Sequence, residues 1–490
     1  MNEVPGQTDV SESAALRDHL LAAGCQVFAK GSEGYRRACR ILNGAVKHEP
    51  ALVVRCSLTS EVQITVKASK AYRFPISVKS GGHDWCGRGI ADDAVVLDLS
   101  GMRGRVADRS KRELTFSGGA LAYDIVARAE AAGLSIVTGY SGAGGMAGLL
   151  LGGGYGPLTT RLGLAADNLL EAKVVLEDGR LVTANETDNP DLFWALRGGG
   201  GNFGVVTWMR VRAHVLPSIV SGLIVFPWTD VRTVLLGYAD MMLSAPDELS
   251  VAAILSIAPS GDPIVALAPT WTGDPEQMQP ILARLQGLGK PFMTKVGATT
   301  IGAMLSNHDD MQVGDDRYSM VQTRCLNTLE DDAISILIEA FESRTSRFSS
   351  VMLHHFHGAG SRVAPDATAF GMRTAHFTAL IHASWEQDGD ADSDRHRALG
   401  EDLCSRLAPL ALPGGYANLL GANSREQAEA AYGGNACRLR ELKLKYDPSN
   451  TFSSAIPLPP LVPTYRIAAP VVKDGSSTRR RFLPGGPKIA

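Results

Sequence analysis

Glycine crowds into three short stretches within the first 215 residues of this 490-residue chain, and such crowding lets backbone N–H groups converge on an anion. The first is Ser80-Gly81-Gly82-His83-Asp84. Between Gly139 and Gly156 nine of eighteen residues are glycine, and among residues 198–204 five of seven are. Each glycine costs roughly 1 kcal/mol of helix stability, so the second stretch is expected to be loop backbone that approaches something closely. A pyrophosphate fits that description, although tight turns alone would use the same residues. No stretch shows G-x-G-x-x-G opening a helix with an acidic residue about 20 positions on, or G-x-x-x-x-G-K-[ST], so the common dinucleotide and Walker loops are set aside.

Two further groups carry polar chemistry. In Leu353-His354-His355-Phe356-His357 a strand would put His355 and His357 on one face and His354 on the other, with Met352 and Phe356. Only two imidazoles share a face and no carboxylate is adjacent, so no metal ligand is assigned. His354 reads either as a substrate contact or proton acceptor, or as a hydrogen-bonded structural residue. Tyr416-Ala417-Asn418 sets a phenol two residues from an amide. A phenol of reference pKa ~10 acts as a base near neutral pH only if positive charge or hydrogen bonds lower that value, and an ordinary packed aromatic is the alternative.

These residues need elements to position them. Ser60-Glu61-Val62-Gln63 reads as a capping box opening a helix that ends at Phe74-Pro75. Strands are expected over Ile76–Lys79, 95–100 and Leu114–Phe116, then a helix over Tyr123–Ala132 closed by Gly133 in a left-handed cap. Asp178-Gly179 marks a two-residue hairpin, and an alternating strand follows Gly204. From about Pro217 glycine thins and longer patterns appear, including strands over Val351–Phe356 and Phe377–Trp385, which implies a second, lid or substrate, domain. The segment from Arg425 onward reads as one helix halted by Asp447-Pro448.

At about three times the ~150-residue domain prior, the chain implies two or more interleaved domains. It is 45% hydrophobic and 20% charged with a net charge of −3, which excludes disorder as the main state and gives no basis for tracking a phosphate backbone. Seven scattered cysteines without a CxxC exclude a disulfide framework or zinc ribbon. The polar N-terminus and the lack of eighteen consecutive apolar residues imply a soluble, cytoplasmic protein. After about Leu461 the chain is proline-rich and then basic at Arg479-Arg480-Arg481, read as a solvated tail.

Taken together, the motifs resemble the FAD-linked oxidases of the vanillyl-alcohol oxidase and berberine-bridge-enzyme type, across about residues 45–455 and in order. Pro75 to Asp84 resembles the pyrophosphate loop of that family. Leu151-Gly152-Gly153-Gly154-Tyr155-Gly156 with Gly163 to Asn168 resembles its second flavin-binding stretch, and Asp191 to Gly199 with Gly201 to Val206 its third. Lys445-Tyr446-Asp447-Pro448-Ser449-Asn450-Thr451-Phe452 is similar to its returning C-terminal segment. There the family usually continues asparagine-x-asparagine-isoleucine, whereas this chain has Ser453-Ser454-Ala455-Ile456, which removes polar side chains expected near the flavin.

The resemblance implies that His83 bonds covalently to the 8α-methyl carbon of the isoalloxazine. Many members carry a second link from a cysteine to flavin C6; Ser141 stands there, so attachment through His83 alone is expected, as in the bacterial hydroxynicotine oxidases. Cys86 is read as an ordinary thiol. Implied to hold FAD are Val78, Lys79, Ser80, Gly81, Gly82, His83 and Asp84; Thr138, Gly139, Ser141, Gly142, Gly144, Gly145, Gly148 and Leu149; Gly153, Gly154 and Asn168; Gly204, Val205 and Val206; and Tyr446. Tyr416, Asn418 and His354 are the implied catalytic residues. Gly144 occupies the small-residue place that controls oxygen access, which favours an oxidase over a dehydrogenase.

The expected fold is therefore α+β: a PCMH-type FAD-binding domain of two subdomains over 1–215, a substrate domain over 216–435 with an antiparallel sheet covered by helices, a returning segment over 436–465, and a tail over 466–490. The expected activity is hydride transfer from a C–H beside a hydroxyl or amine of a secondary metabolite, alkaloid or sugar to flavin N5, with dioxygen reoxidising the flavin to give hydrogen peroxide. An amine-specific alkaloid oxidase and a non-redox cyclase of secondary metabolism are the alternatives. The expected partners are a small-molecule substrate and dioxygen, with a homodimer allowed and neither nucleic acid nor membrane.

Overall fold

The computed structural model describes residues 10–312, 317–386, 389–421 and 424–458; the expected tail lies outside them. Three sheets follow one another along the chain. The first is built from β1 (Gln26–Ala29), β2 (Leu52–Arg55), β3 (Ile76–Lys79) and β4 (Val95–Asp98) in the order β1-β2-β4-β3. Here β2 and β3 run parallel to β4, and the helix Thr59–Ala71 makes the crossover between β2 and β3. Leu52, Val54, Val95 and Leu97 are buried against Val62, Val66 and Leu16, as expected of strands sandwiched between layers.

The helix starts two residues earlier than the capping-box reading implies, with Leu58 rather than Ser60 at its N-cap. Ser60 lies inside its first turn, and the Glu61 carboxylate instead accepts from the backbone N–H of Ser57 (2.6 Å) and Leu58 (3.1 Å).

The second sheet is antiparallel: β5 (Arg105–Asp108), β6 (Glu113–Ser117), β7 (Leu169–Val175), β8 (Leu181–Ala184) and β9 (Val205–Arg212), ordered β5-β6-β9-β7-β8. The hairpin between β7 and β8 turns at Gly179 with φ +75°, and Gly133 closes the helix Ala122–Ala131 with φ +66°. The glycine-rich stretch is not all loop, because Met146–Leu151 forms a short helix. Met146, Ala147, Leu150 and Leu151 are buried in the core beneath the second sheet, and that burial offsets the cost of Gly148.

The third sheet has seven strands, β10 (Ile219–Pro227), β11 (Leu249–Ile257), β12 (Pro263–Trp271), β13 (Met293–Thr299), β14 (Tyr318–Leu326), β15 (Ser350–Phe356) and β16 (His376–Trp385), all antiparallel, in the order β13-β10-β12-β11-β15-β16-β14. One face packs on helices through Val234, Leu235, Leu337, Phe341, Leu353 and Phe377. Strand periodicity then sends alternate residues of β15 and β16 to the opposite face, towards the glycine-rich loops.

The C-terminal segment is two helices rather than one, Arg425–Tyr432 and Ala436–Tyr446, broken at Gly433, whose φ is +49°. Leu439, Leu442 and Tyr446 join the core beneath the second sheet, and Phe452 joins that of the first. Among the described residues no disulfide joins any of the seven cysteines, and no helix is long and apolar enough to cross a membrane.

Candidate active site

β3 delivers the chain into the Ser80-Gly81-Gly82-His83 turn, where Gly82 takes φ +68°. Ser80 Oγ donates to the Gly118 carbonyl at 2.8 Å, and Lys79 Nζ to that of Ala38 at 2.6 Å. Burial lowers the Lys79 ammonium below its usual pKa against the pull of Asp98 and Cys39. Asp84 closes the turn: Oδ1 accepts from the N–H of Cys86 (2.9 Å) and Arg88 (3.1 Å), and Oδ2 accepts from Arg88 Nη1 at 2.7 Å. Arg88 Nη2 reaches on to the Leu420 carbonyl at 2.6 Å and fixes this turn to the loop after Tyr416.

Gly81 meets Gly145 so closely that a Cβ on either would collide with the backbone nitrogen of the other. The two glycine stretches thus form one floor, beneath a cavity of about 350 Å³. Val78 to Asp84, Gly139, Ser141, Gly144, Gly145, Gly148, Leu149, Gly204 and Val206 line it, as do Tyr416, Asn418 and His354.

The other expected contacts do not border the cavity. A Cβ at Gly142 would enter the Tyr123 ring, and Gly153 packs on Phe370 and Gly154 on Ala165. Val205 faces the core of the first sheet. Asn168 is spent on structure, donating to the carbonyls of Leu162 (3.0 Å) and Leu164 (2.9 Å) and pairing with His214 Nε2 at 2.7 Å. Tyr446 donates to Asp191 at 2.7 Å, bracing two helices. Thr138 is buried, its carbonyl packed against Gly156.

The oxygen of Tyr416 accepts three hydrogen bonds, from the backbone N–H of Gly154 (3.2 Å) and Tyr155 (3.2 Å) and from Asn418 Nδ2 (2.9 Å). Asn418 Nδ2 also donates to the Leu149 carbonyl at 3.0 Å. Burial pushes the Tyr416 phenol above its usual pKa; the three donors work against this and only partly offset it. The His354 ring lies 4.7 Å from that of Tyr140 and 5.5 Å from that of Tyr155. As the alternation requires, Met352, His354 and Phe356 face the cavity, while His355 and His357 stack together at 4.8 Å on the opposite face. Among the described residues no group of three or more His, Cys, Asp or Glu could hold a metal.

Several wall residues were missed by sequence reasoning. His376, Thr378, Leu380 and His382 present one face of β16, and Trp85 sits 5.1 Å from the His382 ring and 6.0 Å from that of His83. The alternation of β16 was a usable signal, had the strand been started at His376. The segment Phe452 to Ile456 also reaches the cavity despite its lost asparagines, because it docks through backbone: Ile76 N–H donates to the Thr451 carbonyl (2.8 Å) and Asn202 Nδ2 to that of Ile456 (2.9 Å).

An FAD fits these residues. Gly148, on the cavity, has open space where a Cβ would stand, as close approach of a pyrophosphate needs, His83 offers an imidazole on the wall, and the buried hydroxyl of Ser141 has no hydrogen-bond partner among the described residues.

Comparison with known proteins agrees. Residues 50–185 match the family described as FAD binding domain, and residues 415–459 match that described as berberine and berberine like. The chain is 27% identical over 439 residues to an FAD-linked oxidoreductase of Dictyostelium discoideum, covering 89% of this chain and 94% of the relative. It is 28% identical over 444 residues to (R)-6-hydroxynicotine oxidase of Paenarthrobacter nicotinovorans, covering 87% and 95%. The crystal structure of 6-hydroxy-D-nicotine oxidase from Arthrobacter nicotinovorans superposes with a TM-score of 0.80 at 26% identity, covering 89% of this chain and 97% of that one.

Proposed function

The chain belongs to the FAD-linked oxidoreductases of the vanillyl-alcohol oxidase and berberine-bridge-like family, and on that premise we propose that it is an oxidase that takes hydride from a C–H beside a hydroxyl or amine nitrogen of a small molecule and passes the electrons to dioxygen, giving hydrogen peroxide. FAD, when bound, supplies the hydride-accepting N5 and the route to dioxygen. His83 holds the flavin through its imidazole, at the 8α-methyl carbon. Ser141 offers no thiolate for a second link, so attachment is single. The reading rests on one observation: His83, Ser141, Gly144, His354, Tyr416 and Asn418 border a single cavity above the glycine floor.

Tyr416 accepts from the Gly154 N–H and Asn418 donates to the Leu149 carbonyl, so the turn that carries both is held against the glycine-rich stretch beside the cavity. Burial raises the Tyr416 phenol above its usual pKa, which favours the protonated form, and among the described residues no charged group is among the causes that act on it. That observation favours a substrate oxidised beside an amine nitrogen, where no strong base is required. A visible spectrum followed by acid precipitation tests the core of the reading. Yellow colour should stay with the pellet, and should leave it in His83→Ala; a protein that takes up no flavin from added FAD defeats the reading. Anaerobic substrate addition should bleach the flavin, whereas a cyclase would leave it yellow.

A further inference from the structure

His376 opens β16 directly opposite Phe356 of β15, and its imidazole stacks on the Phe356 ring at 5.2 Å and 30°. The residue is 5% exposed, and what it exposes borders the cavity. Its Nδ1 lies 2.7 Å from the carbonyl oxygen of Thr374. A carbonyl can only accept, so Nδ1 carries the proton, and in the neutral ring Nε2 is left as an acceptor. Burial lowers the pKa of this imidazole against the pull of the Thr374 carbonyl, which keeps the neutral form in place. Among the described residues no hydrogen bond to Nε2 accounts for that lone pair.

Much of the surrounding wall is apolar: Met352, Phe356, Phe370, Met372, Leu380 and Leu419 border the same space, and His354, Thr378 and His382 are the other polar side chains that the sheet presents there. The charged residues on the cavity, Lys79, Asp84 and Arg88, all belong to the flavin-side turn; Asp84 and Arg88 pair with each other, and Lys79 is held by Ala38. A charged substrate would therefore meet no counter-charge on the sheet wall. A flat neutral one would cover apolar surface and need a partner only for its own donor.

Building on the oxidase reading, we propose that His376 is a specificity-determining residue whose Nε2 accepts a hydrogen bond from a hydroxyl or N–H of a neutral, ring-bearing substrate lying against Phe356 and Phe370. The Thr374 carbonyl is the positioning group that selects the accepting tautomer. A substrate analogue that keeps the ring but cannot donate would leave the buried Nε2 unpaired and lose affinity.

The test compares 4-ethylphenol with 4-ethylanisole, the second having the same ring and no donor. Binding to the holoenzyme is read by perturbation of the flavin spectrum and, independently of flavin, by tryptophan fluorescence, since Trp85 is on the wall. The wild type should bind the phenol about ten-fold tighter than the ether. His376→Phe, which keeps a ring on Phe356, should reduce the preference to within about two-fold, and His376→Gln, whose amide oxygen can accept, should retain part of it. Equal binding of the two probes by the wild type, binding of neither, or an undiminished preference in His376→Phe overturns the proposal. Loss of flavin absorbance from the wild type with the fluorescence preference intact would instead defeat the oxidase reading alone.

Discussion

Gly81 and Gly145 stand backbone to backbone, 64 positions apart in sequence, with no room for a side chain on either. Gly81 lies in the turn after β3 and Gly145 precedes the short helix Met146–Leu151, so this contact joins the first sheet's loop to the second sheet's layer at the cavity floor. Gly81→Ala should force the two loops apart. We expect a folded protein with little bound flavin, read as the ratio of flavin to protein absorbance; full flavin content in that variant would show that the floor yields without cost.

Tyr416→Phe removes the acceptor shared by two backbone N–H groups and the Asn418 amide. Leaving buried donors unpaired costs about 1–3 kcal/mol, so the unfolding midpoint should fall. Because burial keeps this phenol protonated, anaerobic flavin reduction should slow by less than the ~100-fold that loss of a general base costs. A loss of several orders of magnitude in stopped-flow measurements would make Tyr416 the proton acceptor for an alcohol.

Arg373, 1% exposed, makes a two-pronged pair with Asp167 at 2.7 and 2.8 Å and also donates to the Gly360 carbonyl and the Thr368 hydroxyl. Arg373→Leu would strand the Asp167 carboxylate, and breaking a buried pair costs roughly 3–5 kcal/mol. Since Arg373 Nε also holds the Phe370 carbonyl at 3.3 Å, the variant should bind ring-bearing probes more weakly as well as unfold at lower denaturant.

Acid should destabilise the fold before its carboxylates titrate. Burial depresses His355 to about 3, aided by His357 and His376, and lowers His376 and His214 below their usual value. The unfolded chain protonates these rings as pH falls through ~6.5 and the folded chain does not, so stability is lost below that point, by about 1.4 kcal/mol per pH unit for each fully shifted ring. For His355 the loss continues to about pH 3. Denaturant midpoints at pH 7 and pH 5 should show the fall, and His355→Leu should reduce it; an unchanged slope in that variant would assign the loss elsewhere.

Much of the site was legible because glycine reports on backbone. The crowding at 80–82, 139–156 and 198–204 marked close approaches, and His83 stood beside one of them. The periodicity of β15 likewise separates His354 from His355 and His357. The same reasoning went wrong where burial overrode propensity, as in the helix over Met146–Leu151, and where paired glycines interrupted a helical pattern at Gly433. Gly142, Gly153 and Gly154 look like their cavity-lining neighbours in sequence, yet they face Tyr123, Phe370 and Ala165, because a glycine's residue type does not say which way its open side is turned.

Residue types and their order carry most of the local pattern: which segments can extend, where backbone can approach a ligand, and that a serine at 141 cannot form a thioether. Which residues share a wall is settled by long-range packing. His376 meets the cavity because β15 and β16 pair in one register, and Tyr416 reaches Gly154 across 262 positions of chain. Packing, and the requirement that buried donors find acceptors, set those long-range pairings, and neither leaves a short-range mark in the chain.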